Sequence, residues 1–84
     1  MAELVQTYLD VGGGNYTAYV MGEERADGTW EGWIEFGGWA GDERRTERET
    51  TQPNREALQY WASGLEPVYL EGALARASRK VSGG

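Results

Sequence analysis

The sequence predicts a small α+β domain, in which a small antiparallel sheet of three to four strands carries one helix on one face. Three observations predict it. Two aromatic and β-branched segments, residues 16–21 and 29–36, flank a turn that ends in Asp27-Gly28, which is the pattern of a β-hairpin. Residues 53–65 repeat apolar side chains at helical spacing. Thirteen glycines in 84 residues, about twice the usual ~7%, favour strands and turns over a helical bundle. The expected element order is β-β-β-α-β.

The chain begins with a weakly alternating segment, residues 1–14, that ends in three glycines. Consecutive glycines are too flexible for a strand interior, so we expect either an edge strand or a loose arm here. The hairpin follows, and the alternation of its second strand assigns an apolar set to the core face: Trp30, Ile34 and Phe36. Gly32 on that face leaves room for a large ring from the helix. The opposite face carries Trp33 between Glu31 and Glu35.

The second half of the chain contains one clear helix and two ambiguous segments. Residues 43–51 carry only charged and threonine side chains, which fits a charged edge strand, with a solvated loop as the alternative. The helix follows, with Thr51 or Gln52 as its cap, Pro53 in its first turn and Gly64 at its end. Residues 68–75 fit both a strand and a helix, and Gly72 with the Val68-Tyr69 pair favours a strand. Residues 76–84 are expected to form a basic tail. Seven side chains should form the core: Trp30, Ile34, Phe36, Leu58, Trp61, Val68 and Leu70.

Composition excludes much of enzyme chemistry. The chain has neither histidine nor cysteine, which rules out disulfides, thiolate and imidazole metal sites, and Cys or His nucleophiles. Glu31 and Glu35 lie about 13 Å apart along a strand, beyond the ~5–9.5 Å of a glycosidase pair. The run Gly12-Gly13-Gly14-Asn15 lacks the Gly-Lys-Ser/Thr of a phosphate loop. We therefore expect a protein without catalytic residues, cofactor or metal.

Length and hydropathy indicate a single domain over residues 1–84 in the cytoplasm. Eighty-four residues leave no room for a second core. No apolar run approaches the ~18–20 residues of a membrane span, and the first residues lack the features of a signal peptide.

Charge is unevenly distributed along the chain. Residues 1–43 sum to −8 and residues 44–84 to +2, for a net charge of −6. An acidic surface suits a basic protein partner, with plain solubility as the alternative. The candidate binding residues are Glu31, Trp33, Glu35 and Trp39, because a ring face flanked by carboxylates attracts an Arg or Lys side chain.

Each tryptophan of this candidate surface is also compatible with a different role. Trp33 fits equally a homodimer interface or simple packing against Tyr19 or another cross-strand neighbour. Trp39, in its glycine-rich loop, either closes one end of the core or protrudes as an anchor.

A second candidate surface is a nucleic-acid patch formed by four arginines: Arg44, Arg45, Arg48 and Arg55. Glutamates interleave with these arginines, so a self-neutralised, solvated surface is the simpler interpretation. A homodimeric module that binds nucleic acid or a small ligand is therefore the alternative to a domain that binds a basic protein.

The order of elements also resembles the HicB-type antitoxin domain, a partial version of the double-stranded-RNA-binding domain. The second strand of that family resembles residues 28–36, which read Gly-Thr-Trp-Glu-Gly-Trp-Ile-Glu-Phe. In the family this strand ends in Phe-Pro-Asp-Leu-Pro-Gly, and here residues 36–41 read Phe-Gly-Gly-Trp-Ala-Gly. Residues 46–50, Thr-Glu-Arg-Glu-Thr, resemble its Thr-x-Gly-Asp/Glu-Thr, and Glu56-Ala57-Leu58 its Glu-Ala-Leu helix start. The resemblance spans residues 16–70 and implies a non-catalytic protein that covers a small, basic, RNA-cleaving toxin.

Overall fold

A computed structural model describes residues 1–80. Within them the chain forms a six-stranded antiparallel sheet and two helices, so the α+β class is confirmed. The elements are β1 (Glu3–Val11), β2 (Tyr16–Glu24), β3 (Trp30–Gly38), β4 (Glu43–Arg45), β5 (Thr50–Gln52), α1 (Arg55–Ser63), α2 (Pro67–Arg76) and β6 (Ser78–Arg79). The expected three to four strands and the order β-β-β-α-β are wrong, because the charged segment forms two strands and the last segment is mainly helical.

The sheet has the order β1-β2-β3-β4-β6, and β5 also pairs with β3. Strands β4 and β5 lie end to end along one edge of β3, with Arg45 opposite Glu35 and Thr51 opposite Glu31. Between them Thr46 is buried, and its hydroxyl accepts a hydrogen bond of 3.0 Å from the Ile34 N–H. This contact interrupts the charged segment, which was expected to be one edge strand. Because β6 pairs with β4, the sheet edge lies beyond β4, whereas β5 pairs only with β3 among the described strands.

Glycines with positive φ shape both hairpin turns. Gly12, Gly13 and Gly14 have φ between 64° and 87°, and they turn the chain from β1 into β2. The glycine run therefore ends an edge strand, which decides between the strand and the loose arm expected for residues 1–14. The β2–β3 turn closes at Gly28, with a φ of 87°, and the Arg25 N–H donates to the Thr29 carbonyl over 2.7 Å.

Helix α1 packs against two glycines of the sheet. Gly22 and Gly32 lie opposite each other on β2 and β3, and a Cβ on Gly32 would lie 2.7 Å from a methyl group of Leu58. The space expected for a large ring is therefore filled by a fully buried leucine. The N-cap is Asn54, whose side chain accepts from the Ala57 N–H over 2.8 Å, so Thr51 and Gln52 were wrong as caps.

The segment after residue 66 is the helix α2, so the expected strand is wrong. Pro67 occupies the first turn, and Leu70 and Ala73, three residues apart, are both buried against the sheet. Since a helix turns about 100° per residue, Val68 lies away from Leu70 and is 78% exposed. Of the predicted tail, Ser78–Arg79 forms β6, and positions 81–84 lie outside the described residues. No helix in the described range is long and apolar enough to cross a membrane.

The core lies between the helices and one face of the sheet. Four of the seven expected core side chains are buried: Ile34, Phe36, Leu58 and Leu70. Trp61 is partly buried and packs at the edge of the core, and Trp30 is only partly buried at the start of β3. Small residues complete the centre, since Ala18, Ala62 and Ala73 are all fully buried.

Candidate functional site

The face of the sheet opposite the helices, here called the outer face, carries the predicted binding residues. Ile34 and Phe36 point toward the helices, and because successive side chains alternate, Glu31, Trp33 and Glu35 point the other way. No helix in residues 1–80 packs on the outer face. The assignment of the two faces of β3 from sequence alternation is therefore confirmed.

Trp33 is buried on the outer face, although no helix covers it. Its side chain is only 4% exposed. The Arg45 guanidinium lies 4.6 Å from the centroid of the ring, and the indole N–H donates to Glu35 over 2.9 Å. The expectation that this indole stands in solvent is wrong, because β4 places a long arginine side chain across it.

The carboxylates beside Trp33 also have partners within the chain. The Lys80 ammonium lies 3.0 Å from Glu35, and the Arg25 guanidinium lies 3.1 Å from Glu31. Burial raises the pKa of Glu35, but the hydrogen bonds from Trp33 and Lys80 outweigh it and hold the pKa below its usual range. The cations that the sequence pattern led us to expect from a partner are thus supplied by Arg45, Lys80 and Arg25.

The four arginines of the predicted nucleic-acid patch do not come together. Arg44 lies on the helix side of β4, where it pairs with Asp42 over 3.3 Å, and Arg55 pairs with Glu3 over 3.0 Å. Only Arg45 and Arg48 are neighbours, and they line a cavity of about 510 Å³ on the outer face. Two further cations line the same cavity: Arg79 and Lys80. Sequence analysis placed both in a tail, and only the pairing of β6 with β4 brings them here.

Trp39 protrudes from the turn between β3 and β4 and is 80% exposed. It lies beside a depression of about 390 Å³ whose other wall includes Leu9 of β1, which is 71% exposed. Gly37 lines the same depression, and the Tyr19 ring lies 3.4 Å from the position of a Cβ on Gly37, so it covers the backbone there. We call these three side chains, Leu9, Tyr19 and Trp39, the Trp39 surface. Of the two roles expected for Trp39, a protruding anchor fits this position and a core lid does not.

Sequence reasoning missed Leu9 and Tyr19 as members of this surface. Both lie at positions that alternate with core residues, since Tyr8 and Ala18 point toward the helices. The alternation of side chains therefore indicated that Leu9 and Tyr19 lie on the face opposite the core. It did not indicate that no helix would cover that face.

The other perturbed groups are structural. Burial, the hydrogen bond to Glu49 and its charge raise the pKa of Tyr69 to about 12, so its hydroxyl stays protonated and donates to that carboxylate. The hydrogen bond to Asp42 likewise raises the pKa of Tyr16. A phenol that holds its proton this firmly is a poor base or nucleophile. Across residues 1–80, no three carboxylates converge as ligands for a metal ion.

Comparisons with protein-family models, curated proteins and solved structures each found no match to this chain. Inferences about its function therefore rest on the geometry of its surface and on the sequence patterns given above.

Proposed function

We propose that this chain is a non-enzymatic protein-interaction domain that binds a basic partner protein through the Trp39 surface. The observation that carries this proposal is the exposure of Trp39, at 80%, in the turn just beyond β3 and beside the exposed Leu9. Single exposed apolar side chains are ordinary, but an aromatic residue clustered with other apolar groups on one face is typical of binding sites. Tryptophan and tyrosine are also enriched among the residues that dominate binding energy.

The shape of the Trp39 surface supports a role as an anchor. Trp39 stands between the depression beside Leu9 and a second cavity of about 660 Å³ that extends toward Lys80. Ala40 after it has a φ of 57°, in the left-handed region, so the turn projects the indole away from the end of β3. A partner that clasps the ring would contact it from both sides.

Charge supports a partner with basic residues. The net charge of −6 favours encounter with a basic protein. Asp10 lines the depression and forms no ion pair with another described residue, whereas Asp42 and Glu43 share the second cavity with Arg79 and Lys80. The Trp39 surface therefore has an apolar centre and a polar rim, on which the Asp10 carboxylate is open to a partner's cation.

The proposal keeps the partner chemistry implied by the HicB-type resemblance but moves the contact. Glu31, Trp33 and Glu35 are already engaged by cations of this chain, so they are proposed to shape the sheet rather than to receive a partner's arginine. Trp39 remains from the set predicted by sequence, and Leu9 and Tyr19 join it.

Calorimetric titration with the purified product of the neighbouring reading frame, where that product is small and basic, tests this proposal. We expect Trp39→Ala to weaken binding by at least about 30-fold, since truncating a dominant anchor costs about 2 kcal/mol or more. Tyr60→Ala is the matched control, because Tyr60 is 84% exposed but lies on α1, across the sheet from Trp39. Raising the salt concentration should also weaken the complex by slowing association.

Three outcomes would contradict the proposal. The first is no binding, and the second is an equal loss of affinity in Tyr60→Ala. The third is a wild-type dimer that becomes monomeric in Trp39→Ala when its mass is measured by light scattering. That result would assign the Trp39 surface to a second copy of the chain.

A further inference from the structure

The cavity above Trp33 is an unusual place in this acidic protein. It is formed by β3, the loop that follows β4, and β6, and its volume of about 510 Å³ lies within the range of small-molecule sites, about 300–1,000 Å³. Four of the eight basic residues of the chain line it: Arg45, Arg48, Arg79 and Lys80. In a chain with a net charge of −6, this concentration of cations is the opposite of the general trend.

Several cationic groups around the cavity have donors to spare. The Arg45 guanidinium lies over the Trp33 ring, 4.6 Å from its centroid, and within residues 1–80 its N–H groups form no hydrogen bond. Arg48 makes no ion pair with any other described residue. Arg79 lies opposite Arg44 in the register, so its side chain points toward the helix side and only its position in β6 borders the cavity. Guanidinium groups with unused donors are well suited to the oxygens of a phosphate, which they bind in pairs of parallel hydrogen bonds.

The acidic side chains at the cavity do not cancel this charge. Glu31 is paired with Arg25 over 3.1 Å, and Glu35 beside the cavity is paired with Lys80 over 3.0 Å. Glu47 is the remaining acid in the lining, and no described residue pairs with it. Arg45 and Arg48 outnumber Glu47, so the lining keeps an excess of positive charge, and the Ser78 side chain adds a polar group.

From this geometry we infer that the cavity binds the phosphate group of a small phosphate monoester, with Arg45 and Arg48 as its main ligands. The buried ring of Trp33 holds Arg45 in place, so this part of the site is formed before the ligand arrives. A preformed site loses less conformational entropy on binding. The inference is independent of the Trp39 surface and survives if that proposal fails.

Titration followed by amide NMR shifts tests the inference with ribose 5-phosphate, inorganic phosphate and ribose. We expect both phosphate-bearing probes to shift the signals of residues 45–48 and 78–80, and ribose to leave them unchanged. Arg48→Gln should weaken ribose 5-phosphate binding by about tenfold, the effect of losing a hydrogen bond between charged groups. Glu47→Gln should strengthen it, because it removes the opposing carboxylate.

The matched control is Arg55→Gln, which changes the net charge by the same amount as Arg48→Gln. Arg55 pairs with Glu3, away from the cavity, so its loss should leave affinity within about twofold. If both variants weaken ribose 5-phosphate binding equally, the effect comes from the net charge of the protein, and the proposed site is wrong. Binding of ribose as tightly as its phosphate, or no shift with either phosphate probe at about 10 mM, far above a micromolar Kd, would overturn it too.

Discussion

Replacing Trp33 and Trp39 separately by alanine distinguishes an indole that holds the sheet from one that is free to bind. Trp33 is 4% exposed and Trp39 is 80% exposed. Truncating a buried tryptophan costs about 3–5 kcal/mol. That range already includes the lost contacts with Arg45 and Glu35, so they are not added to it. We expect Trp33→Ala to lower the free energy of unfolding by about 4 kcal/mol, and Trp39→Ala to stay within about 0.5 kcal/mol.

Urea unfolding followed by far-ultraviolet circular dichroism measures both losses without depending on tryptophan emission. The slope for a protein of this size is about 1 kcal/mol per M, so a loss of 4 kcal/mol moves the midpoint by about 4 M. Small domains are stable by only about 5 kcal/mol or somewhat more, so Trp33→Ala is expected to be close to unfolded in water.

Trp33→Phe keeps the measurement interpretable if the alanine variant does not fold. Phenylalanine preserves a ring beneath Arg45 but loses the N–H that donates to Glu35. We expect a loss of about 1–3 kcal/mol, the usual cost of removing one partner from a charged hydrogen bond. A loss below about 1 kcal/mol for Trp33→Ala, or a loss no larger than that of Trp39→Ala, would refute the structural role of this indole.

Three further predictions concern the core and its titrating groups. Leu58→Ala should cost about 3–5 kcal/mol in thermal unfolding, because the glycine backbone beneath Leu58 cannot fill the space, whereas Val68→Ala should cost less than about 0.5 kcal/mol. Folding lowers the pKa of Glu35, so the stability that its carboxylate contributes is complete above the usual pKa of 4.5 and is lost as the pH falls through the folded pKa. The free energy of unfolding of Glu35→Gln should therefore fall less steeply with acid than that of the wild type. Folding raises the pKa of Tyr69 to about 12, so the stability that its protonated hydroxyl contributes is complete below pH 10 and is lost as the pH rises toward 12. Phenolate absorbance should therefore show one tyrosine that ionises at a higher pH than the others, and this signal should be missing in Tyr69→Phe.

The local sequence pattern was enough to predict those elements whose apolar residues fit only one period, that of a strand or that of a helix. Alternation in β3 placed Ile34 and Phe36 in the core, and helical spacing identified α1. The segment from Val68 onward satisfied both periods, and its choice of helix depends on the packing of Leu70 and Ala73 against a sheet formed by distant residues. No local signal contains that information, because the contact is tertiary.

The long charged segment was misjudged for a related reason. Its composition fitted an edge strand, but one buried hydroxyl, that of Thr46, bonds to the backbone of Ile34 and divides it into β4 and β5. A threonine between charged residues gives no sign in the sequence that it will be buried. The same division places Arg45 and Arg48 beside one cavity, so the loop between β4 and β5 also forms part of the proposed phosphate site.

The sequence pattern around Trp33 identified the right chemistry but not its source. An indole between two carboxylates attracts a cation, and the pairing of β4 with β3 places Arg45 directly opposite Glu35, where its side chain reaches the diagonal neighbour Trp33. A cation on the same chain is present at an effective concentration of about millimolar or more, so a partner's arginine would first have to displace it. Trp39 has no such competitor, since no described cation stacks on its ring. A ring that no side chain of the same chain covers, such as that of Trp39, is therefore the expected anchor for a partner. In the same way, the unpaired guanidinium of Arg48 is the expected contact for an anion.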